Sequence, residues 1–103
     1  MTTFEKLQQH LAAPTIHQVH GTFEHKENAV PVQCADGTTM SVQASENHYS
    51  KPRENHGPYT YVEVWRCGEV PAWAEYGDGE EPYAYLPIEL VVEEIDRRGG
   101  FAE

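Results

Sequence analysis

Between His48 and His56, nine residues hold two histidines, a tyrosine, a lysine, an arginine, a glutamate and an asparagine. Two imidazoles so close in sequence could serve as base and acid, and Arg53 could hold a developing anion. No activated nucleophile, phosphate-binding glycine loop or carboxylate pair accompanies His48, Tyr49, Arg53 and His56, and their spacing matches no motif with a known mechanism. The plainer reading is a polar loop in which Arg53 and His56 bond to neighbouring backbone while Gly57-Pro58 turns the chain into the next strand. A small hydrolase or nucleotide-acting enzyme built on this loop is therefore the alternative expectation rather than the first.

His17, His20 and His25 raise a metal hypothesis, since imidazole is a common zinc ligand. On a strand, however, His17 and His20 are an odd number of residues apart and point to opposite faces. No metal or other cofactor is expected. Cys34 and Cys67 lack C-x-x-C spacing, and a single pair without an export signal reads as two free, partly buried thiols rather than a disulfide.

The third constellation is acidic. Glu69, Glu75, Asp78, Glu80 and Glu81 lie in a connection punctuated by Pro71, Gly77, Gly79 and Pro82 and interleaved with Trp73 and Tyr76. Aromatic anchors beside carboxylates suit an interface with a basic protein, because Trp and Tyr dominate hot spots while charge steers the encounter. Trp73, Glu75, Tyr76, Asp78, Glu80 and Glu81 are thus the candidate partner-binding residues. The competing reading is an acidic loop kept soluble by its charge, with Trp73 tucked against a sheet.

Charge is the compositional outlier. Seventeen acids against seven bases give a net charge of −10, which opposes direct contact with nucleic acid or anionic lipid. The imbalance is uneven. Residues 1–60 hold six acids and four bases, a net of −2, whereas residues 61–103 hold eleven acids and three bases, a net of −8. A charged partner should be basic.

These residues need elements to position them, and 103 residues suffice for one domain, 1–103, with its own core. No apolar run approaches a membrane span, and the start of the chain reads as a polar helix rather than a signal segment, so an intracellular protein is expected. Thr2 and Glu5 have capping-box spacing, and Phe4, Leu7 and Leu11 recur at helical intervals before Pro14, which predicts a helix over 3–13. Residues 15–25 lean toward a strand. Val30 to Ala44 predicts a hairpin about Asp36-Gly37, its second arm apolar on one face through Met40, Val42 and Ala44 and open to solvent on the other through Ser41, Gln43 and Ser45. After a long loop over 45–58, Tyr59 to Cys67 alternates as a central strand. An irregular acidic connection leads to a short strand at Tyr83–Tyr85. Pro87 then opens a helix with the stripe Ile88, Val91, Val92 and Ile95, i,i+4 pairs Glu93–Arg97 and Glu94–Arg98, and a stop at Gly99-Gly100. The expected fold is α+β: an antiparallel sheet of four to five strands with an N-terminal and a C-terminal helix.

The segment Ser41-Val42-Gln43-Ala44-Ser45, the pairs His48-Tyr49 and Pro52-Arg53, Gly57-Pro58-Tyr59, Val62-Glu63-Val64 and the Tyr83 to Pro87 entry to the last helix together resemble a group of small proteins encoded by bacteriophages and prophages. The likeness spans most of residues 36–100. The group carries no assigned activity, so no catalytic residue transfers. It implies a setting: small acidic phage proteins without catalytic motifs resemble inhibitors of host defence, anti-CRISPR proteins among them, which offer carboxylates in place of phosphates. The expectation is a binding protein, not an enzyme, acting in the bacterial host cytoplasm on a basic host protein or ribonucleoprotein complex.

Overall fold

The structure is a computed structural model that describes residues 1–21, 23–77 and 81–103. The first helix, α1 (Thr3–Ala12), starts on the expected capping box: Thr2 Oγ1 accepts from the Glu5 amide at 3.1 Å and the Glu5 carboxylate accepts from the Thr2 amide at 3.0 Å. These bonds hold the Glu5 carboxyl below its ordinary range. Leu7 and Leu11 are buried, whereas Phe4 stays largely exposed, so the apolar stripe is narrower than its spacing implied.

The expected strand over 15–25 is instead a hairpin of β1 (Ile16–His20) and β2 (Phe23–Lys26), which form their own two-stranded antiparallel sheet. Gly21, at φ +57°, adopts a left-handed conformation that costs glycine little and so lets the chain reverse. The hairpin leaves Val19 and Phe23 exposed.

The main sheet is a four-stranded meander in the order β3 (Val32–Gln33), β4 (Thr39–Gln43), β5 (Tyr61–Trp65), β6 (Tyr83–Pro87). The β3–β4 hairpin turns at Ala35-Asp36-Gly37 as expected; Gly37 supplies the positive φ, and Asp36 Oδ1 accepts from the Thr38 amide and hydroxyl at 2.9 and 2.6 Å. Val42 pairs with Val64 and Val62 with Leu86, which aligns the apolar side chains on one face of the sheet. Against them lie the inner stripes of α1 and of α2 (Ile88–Arg97), with Leu7, Leu11, Ile88, Val91 and Ile95 in one continuous core. Pro87 is the N-cap of α2 rather than its first helical residue. Glu94, nearly buried, takes both arginines, Arg98 at 2.7 Å and Arg97 one turn away, in place of the separate Glu93–Arg97 pair expected.

Two expectations about surfaces are corrected. The acidic connection contains a short 3-10 helix (Pro71–Tyr76) opened by Pro71. The second face of the sheet is largely covered: Gln43, Ser45 and Glu63 are buried, while Ser41 is half-buried and Trp65 exposed. Buried amides and carboxylates need partners, and these have them. Gln43 exchanges two 2.8 Å bonds with the backbone of Ala29, and Glu63 accepts from the Tyr49 amide at 3.2 Å. Thus the 27–31 segment and the long loop cover that face. Cys34 and Cys67 are buried and free, and burial pushes the Cys67 thiol up to about 11.

Candidate functional site

The loop between β4 and β5 folds back on itself. The Ser50 hydroxyl donates to Ser45 O at 3.1 Å, Asn55 accepts from the Glu46 amide at 3.2 Å, and Lys51 pairs with Tyr61 as an isolated bridge. The Lys51 ammonium lies 5.2 Å from the Tyr61 ring and 6.0 Å from that of Tyr85. A bulge in β6 holds Tyr85 at φ +49°, where its amide donates to Tyr49 O at 3.1 Å. The loop is therefore a fixed shelf against the sheet.

That shelf separates the catalytic candidates. His48 is half-buried, and its Nδ1 lies 2.6 Å from Ser45 Oγ, which also accepts from the Asn47 amide. Among the described residues Nδ1 is the acceptor within reach of the Ser45 hydroxyl proton, so that hydroxyl donates to Nδ1 and the remaining ring donor is Nε2–H. Burial lowers the His48 pKa, opposed by the charge of Glu63 and reinforced by Lys26 and Arg53. His56 is exposed, 3.8 Å from Glu24, and lines a different concavity with Gln8, Gln9 and Tyr59. Arg53 donates to Glu46 O at 3.1 Å and stacks 5.4 Å over the exposed Tyr49. His48, Arg53 and His56 do not meet at one cavity.

The acidic constellation is also redistributed. Trp73 is 1% exposed and packs edge-on to Tyr83 with ring centroids 5.3 Å apart. It cannot touch a partner, because the 3-10 turn directs it into the core, so its assignment as an interface anchor is corrected. Tyr76 packs against the core but is partly open, and Glu75 is exposed. Glu81 is exposed, and one of its carboxylate oxygens accepts from the Cys67 amide at 3.1 Å. Asp78 and Glu80 lie outside the described residues.

Three features had no clear sequence signal. Lys26 is 5% exposed, its ammonium donating to Ala44 O at 2.9 Å and to the Tyr59 hydroxyl at 3.1 Å. No carboxylate lies within ion-pair distance of it among the described residues, and desolvation lowers its pKa. Tyr59 passes its own proton to Glu54 O at 2.8 Å, and burial pushes its phenol up to about 12. Glu63 also accepts from Trp65 Nε1 at 2.6 Å, which fixes a partly exposed indole. Arg66 sits at φ +55°, a region that costs a non-glycine residue about 1–3 kcal/mol. Among the described residues, no three His, Cys, Asp or Glu side chains gather as a metal site.

Comparisons with protein-family models, with curated proteins and with solved structures find no match to this chain.

Proposed function

We propose that this chain is a phage-type inhibitor that occupies the basic nucleic-acid-binding surface of a host-defence complex of the CRISPR-Cas kind. The observation that carries this reading is the exposed carboxylate excess of residues 61–103. Glu69, Glu75 and Glu81 surround the 3-10 turn, and Glu89, Glu93 and Asp96 recur along the outer stripe of α2, all exposed. Glu63 and Glu94, by contrast, are buried among their hydrogen-bond partners. The acids left at the surface are thus free to steer a basic partner. With Trp73 in the core, charge and the open edge of Tyr76 supply the recognition.

The enzyme alternative has less support, because His48 and His56 line separate concavities. A tagged pull-down from a bacterial host at low and at high salt tests the inhibitor. Recovery of a nucleic-acid-handling complex at low salt, lost on joint replacement of Glu75, Asp78, Glu80 and Glu81 by their amides, is the expected result. Recovery of nothing, or of a partner indifferent to both salt and the four acids, would end the proposal.

A further inference from the structure

A cavity of about 330 Å³ opens on the covered face of the sheet, where the end of β5 meets the 28–31 segment and the shelf. Its walls carry Asn28 and Pro31 on one side and Ser41, His48, Trp65 and Arg66 on the other. The wall chemistry is one-sided. His48 presents Nε2–H, since Nδ1 is engaged by Ser45. Ser41 Oγ already accepts from Gln43 at 3.0 Å, so its proton remains to donate. None of the ion pairs among the described residues uses Arg66. No carboxylate lines the cavity; the nearby Glu63 has one oxygen engaged by Trp65 and the other by the Tyr49 amide.

Three donors line the cavity with no carboxylate among them, and the Glu63 charge felt at His48 is set against those of Lys26 and Arg53; that balance leaves room for an anion, and guanidinium is the side chain best suited to carboxylate and phosphate. The indole calls for a flat ring. Trp65 is 39% exposed, and its bond to Glu63 holds the ring in place before any ligand arrives. Arg66 is an exposed residue in a left-handed conformation, and backbone outliers of this kind concentrate at ligand sites. A cavity of this size falls at the small end of small-molecule sites.

We propose that this cavity binds a nucleoside monophosphate, its base against Trp65 and its phosphate among Arg66, His48 and Ser41. The site is separate from the acidic surface and does not depend on the inhibitor reading. It is built by four segments separated in sequence, 28–31, 41–43, 48 and 65–66, which hides it from any local motif.

Titration with AMP tests it, followed through tryptophan emission and calorimetry. Trp73 is buried in the core, so a ligand-induced change in emission reports Trp65. The expected result is a saturable change with AMP, with adenosine and inorganic phosphate each at least about tenfold weaker because each supplies half of the recognition. Arg66→Asn, which tolerates the left-handed backbone, should weaken AMP by about tenfold or more through loss of a charge-assisted bond while the melting curve holds. Arg66→Gly, which relieves that backbone, should lose the same affinity. Joint replacement of Glu75, Asp78, Glu80 and Glu81 should leave AMP binding as it was. Absence of saturation at millimolar AMP, equal affinity for adenosine, or an Arg66→Asn variant that binds like the original chain would overturn the proposal.

Discussion

Lys26 donates its ammonium to one carbonyl and one phenol in a buried setting, an arrangement that gives stability a pH dependence of its own. Its pKa is lowered by desolvation, so the unfolded chain holds that proton more tightly than the folded one. The contribution of Lys26 to stability is therefore present above the unfolded value near 10.4 and lost as pH falls through the depressed folded value. Tyr59 works in the opposite sense. Its phenol, pushed up to about 12, contributes stability that is complete below about 10 and lost as pH rises through 12. In urea unfolding followed from neutral pH to about pH 10, the original chain should gain on Lys26→Met as pH rises. Parallel curves would show that the ammonium carries no desolvation cost. Tyr59→Phe should cost about 0.5–1.5 kcal/mol for each hydrogen bond it loses, measured the same way at pH 7.

The 3-10 helix decides what the acidic connection can do, because it turns Trp73 inward and leaves Glu75 outward. Trp73→Ala should destabilise the fold by about 3–5 kcal/mol, the usual cost of deleting a buried large aromatic, as read from denaturant midpoints. A loss under 1 kcal/mol would return Trp73 to the surface. Ile95→Asp on α2 should prevent folding, since a buried unpaired carboxylate costs several kcal/mol against a total of about 5–15; an ordinary melting curve would remove α2 from the core. Elements of this kind were legible where local chemistry dictates them. The capping box of α1, the Asp36-Gly37 turn, the central place of β5, shortened to Tyr61–Trp65, and the apolar stripe of α2 all stand in the structure, although burial along β5 does not alternate. The β1–β2 turn has only a faint signal in the sequence, a lone Gly21 between two short runs of β-forming residues. The burial of Gln43, Ser45 and Glu63 was missed for a different reason. Alternation identifies two faces of a strand but not what covers the second, and here the cover comes from segments remote in sequence. The same remoteness separated His48 from His56 and brought Trp65 and Arg66 beside His48.

At the scale of the whole molecule, the net charge of −10 is borne mostly outside the core. Exposed carboxylates contribute little to stability, so replacing the exposed Glu75 and Glu81 by Gln should leave the chain melting close to the original. Glu81→Gln keeps an oxygen to accept from the Cys67 amide, which guards that local contact. No helix of the described residues is long and apolar enough to cross a membrane. Attraction between exposed charges is screened beyond about 8 Å at physiological ionic strength, so association with a basic partner should slow as salt rises while dissociation changes less. The most direct measurement immobilises the recovered host complex and follows this chain binding to it with and without the complex's own nucleic acid, across a salt series. Mutually exclusive binding, with an association rate that falls with salt and falls again in the four-acid variant, is the result expected of an inhibitor that stands in for phosphates. Simultaneous binding of chain and nucleic acid, at a rate unmoved by salt, would contradict it.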